Sequence, residues 1–266
     1  MTIHFYKYQG TGNDFIILDN RKNEYSSLSS DQIRRFCDRR FGIGADGLML
    51  LNEKAGYDFE MKYYNADGKE GSMCGNGGRC IIKFAYHLGI HRDMYKFLAA
   101  DGEHEAEIDT DDTVSLKMKD VMGIKKNHGD FILDTGSPHY IKIVSDVMNF
   151  DIYKKGHEIR YSKDFEMEGI NVNFVEQTEE VDKILVRTYE RGVEDETFSC
   201  GTGVVAAALV CYHNENGYND VNVKTLGGNL TVEFDRVEED HFTNIWLCGP
   251  AENVFEGTIE TEQDAR

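Results

Sequence analysis

The sequence predicts an α/β (α+β) protein made of two homologous domains. Three observations carry that expectation: two Gly-rich cysteine segments 126 residues apart, a helix-like apolar run after each, and strand-like stretches that keep step around both. A chain of 266 residues has room for two ordinary domains with substantial cores. With only two prolines, its elements run almost without interruption.

The elements follow in order. Gly10-Thr11-Gly12-Asn13-Asp14 is a turn beside a hydrophobic strand, and an apolar strand over Phe59 to Tyr64 leads to Asn65. The segment SMCGNGG (72 to 78) brings Cys74, and RCIIKFAYHL (79 to 88) reads as a helix stopped by Gly89. Asp101-Gly102 then turns into the alternating strand EHEAEID. The second half repeats the pattern. DTGSPH (134 to 139) is a Gly-containing turn, and the apolar stretch Ile184 to Tyr189 leads to Arg191. Arg191 stands nine residues before Cys200, as Asn65 stands nine before Cys74. FSCGTGV (198 to 204) is followed by a helix over Val204 to His213, ending near Asn214 and Gly217, and Gly227-Gly228 opens the strand NLTVEFD. A glycine lies 28 residues after each cysteine. The polar stretch Asp120 to Asp130 reads as the linker, which puts the domains at 1–119 and 120–254.

Composition removes several classes of function. A formal charge of -19 repels phosphate backbones and anionic bilayers, so neither nucleic acid nor a membrane is expected as a partner. Hydrophobic residues at 40% exceed what a disordered acidic chain carries, so the charge coats a folded surface. No apolar run approaches a spanning helix and the first ten residues have no signal-peptide pattern, which makes the cytoplasm the expected location. Six cysteines without a C-x-x-C pair are then expected as reduced thiols, with no metal site among them. Cys37, Cys80, Cys211 and Cys248 sit in charged or apolar surroundings without a motif and are assigned no chemistry.

Cys-Gly-x-Gly ahead of a helix is different. The first N–H groups of a helix lack intrahelical partners and its dipole favours negative charge there, so a thiolate is stabilised and a carboxylate can be cradled. Either cysteine alone reads as a small buried hydrophobe. A facing pair makes a two-base site: one thiolate removes the α-proton of an amino acid, the opposite thiol reprotonates the other face, and N–H donors hold the carboxylate on which charge develops. Such a reaction needs no PLP, metal or flavin. A dithiol redox protein using Cys74 and Cys200, and a non-catalytic amino-acid-binding module, are the competing readings. Which sulfur is thiolate at rest is left open by the residues alone.

GTGNDF (10 to 15), FGIGADG (41 to 47), NADGKEGSMCGNGGRC (65 to 80), TGSPHY (135 to 140), NVNFVE (171 to 176), YERGVEDETFSCGTG (189 to 203) and CGPAENVFEG (248 to 257) together resemble the diaminopimelate epimerase family. Proline racemases and phenazine-biosynthesis-type isomerases share the fold but differ at these segments. The resemblance implies two pseudo-symmetric domains, each a barrel-like mixed sheet around a central helix, with 255–266 returning to the first. It implies interconversion of LL- and meso-diaminopimelate in lysine and peptidoglycan precursor synthesis, without a cofactor, by a possible homodimer; a racemase of another amino acid is the alternative. Cys74 and Cys200 resemble the acid/base pair, and Gly75, Asn76, Gly201 and Thr202 the carboxylate cradle. Asn13, Asn65, Asn173, Glu190 and Arg191 resemble substrate contacts, and His139 and Glu190 the groups that adjust the thiols. The chemistry is suitable: Arg191 can grip a carboxylate bidentately, Glu190 can accept from an ammonium, and Asn offers both functions without charge. Two positions depart from the family's pattern. Ser137 stands where many members carry Asn, and Gly47 stands where some carry Gln.

Overall fold

The computed structural model describes residues 2–212 and 216–261, which divide into two compact units, 1–116 with 250–266 and 117–249. The first unit opens with the hairpin β1 (Thr2–Gly10) and β2 (Asn13–Asp19), joined by Thr11 and Gly12, both at positive φ (48° and 84°). Two consecutive left-handed residues make a tight two-residue turn whose twist matches the strands. Asn13 thereby becomes the first residue of β2, opposite Gly10. Helix α1 (Ser30–Cys37), started by a Ser29–Gln32 capping box, leads to β3 (Gly47–Asn52), parallel to β2. β4 (Phe59–Asn65) runs antiparallel to β3, and helix α2 (Gly75–His87) leads to β5 (Tyr95–Ala99), parallel to β4. β6 (Gly102–Ile108) and β7 (Val114–Lys117) follow as antiparallel neighbours. The final strand of the chain, Glu252–Glu260, pairs with β1.

The second unit repeats this connectivity. β8 (Val121–Met122) and β9 (Lys125–Asn127) precede the hairpin of β10 (Asp130–Asp134) and β11 (Pro138–Ile143). Helix α3 (Ile152–Arg160) leads to β12 (Asn171–Gln177), parallel to β11, and β13 (Lys183–Glu190) returns antiparallel. After the short β14 (Asp195–Thr197), helix α4 (Gly201–Cys211) leads to β15 (Gly217–Thr225), parallel to β13, with β16 (Gly228–Glu238) and β17 (His241–Gly249) as antiparallel neighbours. Each unit therefore runs through the same series of six pairings, and α2 and α4 occupy the same place in it.

Both central helices are enclosed. In α2 every residue from Gly75 to Ala85 is buried, against β1, β2, β3, β6 and the final strand. Helix α4 has almost no polar face and packs on strands from β10 to β17. A helix apolar all round is stable only inside such a wrapping sheet. The sheets' other faces are covered by α1 over Phe5, Ile16, Leu18 and Leu48, and by α3 over Tyr140, Val172, Phe174 and Tyr189.

Three expectations change. The segment 120–130 is not a linker: β8 pairs with β17 and β9 with β10, and the division falls between Leu116 and Lys117. The final strand, from Glu252, belongs to the first unit. Helices α2 and α4 start directly after their cysteines, earlier than Arg79 and Val204, because the leading glycines are helical without contributing to apolar periodicity. The expected helix end at His213 and Asn214 lies outside the described residues.

Candidate active site

Cys74 is the N-cap of α2, with extended backbone (φ -104°, ψ 132°), and its carbonyl accepts from Gly78 N at 2.7 Å. Gly75, Asn76 and Gly77 form the first helical turn, where backbone N–H groups have no acceptor within the helix. Cys74 Sγ lies 3.5 Å from Asn13 Oδ1, which also accepts from Asn76 Nδ2 at 3.4 Å. Asn13 is held from behind, its Nδ2 donating to Asp46 Oδ2 at 2.6 Å. Asp14 beside it is bound by Lys7 (2.6 Å) and Arg39 (2.7 Å). Burial would raise this carboxyl, but the hydrogen bonds from Arg39 and Lys7 outweigh it and bring the pKa down to about 2. Under the turn lies Arg79, wholly buried, whose Nη2 donates to Asn76 Oδ1 at 3.0 Å and Nη1 to Gly75 O at 3.5 Å. Asn76 is itself only 1% exposed, so the carboxamide and guanidinium brace the first turn of α2 from inside. Asn65 ends β4 with an exposed side chain, in register with Gly47. A side chain at Gly47 would collide with the Tyr63 ring, at 2.4 Å from Cε2, so in this chain an aromatic from β4 fills that space.

In the second unit Cys200 is the N-cap of α4 (φ -112°, ψ 108°) and its carbonyl accepts from Val204 N at 2.9 Å. Its Sγ lies 3.6 Å from Thr202 Oγ1, which is 2.9 Å from His139 Nε2. His139 is fully buried, and burial, followed by the charge of Arg191, pushes its pKa down to about 3. The imidazole is therefore neutral at physiological pH. Its Nδ1 faces Asn173 Nδ2 at 3.1 Å, and Asn173 also donates to Tyr140 O (3.2 Å) and accepts from Thr188 Oγ1 (2.9 Å). Gly203 is required here, because a Cβ would stand 2.2 Å from Asn173 Oδ1.

Glu190 ends β13 and Arg191 opens the turn after it, both half-buried. Arg191 Nη1 donates to Glu168 O at 3.0 Å, Nη2 to Ser137 Oγ at 3.3 Å, and its backbone N to Asn171 Oδ1 at 2.9 Å. Asn171 Nδ2 reaches the same Ser137 Oγ at 3.0 Å. Ser137 thus orients the guanidinium.

Within the first unit, then, Asn13, Cys74, Gly75 and Asn76 meet at one helix N-terminus, with Asn65 on the adjoining strand end. Within the second, His139, Asn173, Cys200, Gly201 and Thr202 meet at the other. Asn173, expected against substrate, is 0% exposed with both ends of its amide engaged inside the unit. Asn171, on the same strand face, is the asparagine tied to Arg191. Sequence reasoning passed over Arg79, Asn171 and Thr188; for the two asparagines, the N-x-N spacing offered no way to choose between them.

A sequence model described as Diaminopimelate epimerase matches residues 5–123 and 131–254. A diaminopimelate epimerase of Flavobacterium psychrophilum is 48% identical over 255 residues, covering 96% of this chain and 99% of that protein. The chain belongs to the diaminopimelate epimerase family. The family's member from Chlorobaculum tepidum is 43% identical, over 94% of this chain and 98% of its own length. Among solved structures, a phenazine biosynthesis protein of the PhzF family from Bacillus anthracis aligns with a TM-score of 0.75 at 16% identity, over 98% of this chain and 100% of that one. A hydroxyproline epimerase from Agrobacterium vitis aligns with a TM-score of 0.64 at 12% identity, over 97% and 92%. At such identities the likeness is one of fold. Among the described residues, no helix is long and apolar enough to cross a membrane, and no group of three His, Cys, Asp or Glu is placed to hold a metal ion.

Proposed function

We propose that this chain interconverts LL- and meso-diaminopimelate, with Cys74 and Cys200 as the two acid/base groups and no cofactor. The observation that carries the reading is the repetition of one device: in each unit a cysteine caps the enclosed helix at the same point of the same connectivity. Epimerisation needs a base on one face of the α-carbon and an acid on the other, and it needs the adjacent carboxylate to tolerate developing charge. The N–H groups at Gly75, Asn76, Gly201 and Thr202 are suited to that carboxylate. A single preorganised donor of this kind contributes roughly 3 to 4 kcal/mol to a transition state. Arg191, oriented by Ser137 and Asn171, suits the distal carboxylate, while Glu190 and Asn65 suit the distal ammonium. Asn13 contacts the reacting end beside Cys74, and Asn173 acts through His139.

The substrate is named by the relatives' activity, and its charged ends match the residue types that the two units offer: one cation, one anion and several amides. The reading extends to a cytoplasmic homodimer, whose mass sedimentation equilibrium would report. Incubation of reduced protein with LL-diaminopimelate in deuterium oxide, beside a parallel reaction with proline, tests the activity. The expected result is α-deuterium in diaminopimelate without added cofactor, with loss of several orders of magnitude in Cys74→Ser and in Cys200→Ser. Exchange into proline alone would move the reading to a proline racemase, and no exchange into either would end it.

A further inference from the structure

Building on the epimerase reading above, we propose that Arg79 is a positioning residue for the reacting end of the substrate: its buried guanidinium fixes the first turn of α2 and the amides of Asn76 and Asn13 beside Cys74. Arg79 acts through these groups and not by touching the substrate.

Burying a guanidinium near a helix start is unfavourable on two counts. The charge loses its hydration, and the positive end of the helix dipole opposes it. The architecture does not ask for a cation there. Val205 stands five residues after Cys200, as Arg79 stands five after Cys74, and it is equally 0% exposed inside α4. An apolar side chain therefore suffices at this place in the repeated fold, and the arginine is accounted for by what it holds.

What it holds is the turn that carries the N–H groups. Gly75, Gly77 and Gly78 are three of the first four residues of α2, and glycine is the poorest helix former after proline. A turn of this composition needs bracing from outside its own backbone. Arg79 Nη1 donates to Gly75 O at 3.5 Å, and Nη2 donates to Asn76 Oδ1 at 3.0 Å and to Thr11 Oγ1 at 3.4 Å. A guanidinium can only donate, so Asn76 turns its oxygen inward and its Nδ2 toward Asn13 Oδ1, 3.4 Å away. Asn13 Nδ2 donates in its turn to Asp46 Oδ2 at 2.6 Å. Every bond in this series runs the same way, from a cation through two amides to a carboxylate. Each link polarises the next, and neither amide can be flipped without reversing two bonds.

The second unit meets the same need with a different residue. Thr202 stands two residues after Cys200, as Asn76 stands two after Cys74, and its hydroxyl lies 2.9 Å from His139 Nε2. The Thr-Gly hairpin turns correspond as well: Thr135 Oγ1 donates to Thr202 O at 2.9 Å, and Thr11 Oγ1 lies 3.4 Å from Asn76 Oδ1. In each unit a buried nitrogen group anchors the side chain two places after the cysteine. It is an imidazole in one unit and a guanidinium in the other, which makes Arg79 the counterpart of His139.

The test is the rate of α-deuterium exchange into diaminopimelate by Arg79→Met, taken per folded protein with urea unfolding as the measure of folding. Methionine fills the space with an apolar chain, as Val205 does in α4. The expected kcat falls at least about tenfold while KM changes by less than about threefold, because the distal groups of the substrate are assigned to Arg191, Glu190 and Asn65. Lys83→Met removes the buried lysine one turn further along α2, paired with Asp112 at 2.6 Å, and leaves kcat at the parent value. In an Asn76→Ala background, Arg79→Met costs less than about threefold, since its effect passes through Asn76. Arg79→Lys keeps a cation but offers one nitrogen in place of the fork, so its kcat falls nearly as far, and it carries the comparison should the methionine variant not fold. Parent-like kcat in folded Arg79→Met or Arg79→Lys, an undiminished loss in the Asn76→Ala background, or an equal fall in Lys83→Met would overturn the role given to Arg79. Exchange by the parent with an unaffected methionine variant ends that role alone, whereas no exchange by the parent ends the epimerase reading.

Discussion

Replacing His139 with glutamine should flatten the acid side of this protein's stability curve. His139 is fully buried and its pKa falls from 6.5 to about 3, first because burial penalises the charged form and second because Arg191 repels it. In the unfolded chain the same imidazole protonates near 6.5. Below that pH the unfolded state binds the extra proton, so stability is complete above 6.5 and declines by about 1.4 kcal/mol for each unit toward 3. At pH 5 the accumulated loss is about 2 kcal/mol, a large part of an ordinary protein's stability. Glutamine can still accept from Asn173 and donate to Thr202 but does not titrate. Urea unfolding of parent and His139→Gln at pH 7.5 and pH 5 checks this: the parent should lose about 2 kcal/mol more across the interval than the variant. Asp14, also depressed, contributes only below its unfolded value of 3.8 and is common to both proteins. Equal losses in the two proteins would mean that His139 is not held neutral in the folded chain.

Two glycines give sharper steric tests. Gly203→Ala places a Cβ 2.2 Å from Asn173 Oδ1, so the amide must turn away; the expected outcome is a fall in turnover of at least about tenfold, with modest overpacking cost of about 1 to 3 kcal/mol. Gly156→Ala in α3 meets Tyr189 Cβ at 2.3 Å and should cost a similar amount in urea unfolding, with a smaller loss of turnover than Gly203→Ala.

The parts of the site that were legible in the sequence are those fixed by neighbours along the chain. Cys74 and Cys200 could be placed as helix caps because a glycine-rich turn followed by an apolar run specifies a helix start within a few residues. Asn13 could be placed beside a strand because the preceding Thr-Gly pair sits in a turn. Arg79 could not, since a charged residue near a helix start ordinarily faces water, and it is buried only because the sheet encloses α2 on every side. The stretch 120–130 looked like a linker because β8 and β9 acquire strand partners from residues as distant as Phe242.

By itself, the sequence determined the repeat, the two capped helices and the residue types able to hold an amino acid, all of which depend on local pattern. Tertiary structure alone decided that Asn173 lies inside and Asn171 beside Arg191, because β12 is a central strand buried on both faces and alternation carries no information there. It also decided which way the side-chain amides of Asn13 and Asn173 point. Direction is set by acceptors such as the Tyr140 carbonyl and the Asp46 carboxylate, which lie some thirty residues along the chain from the asparagines they orient, and only folding brings them within 3.2 Å and 2.6 Å.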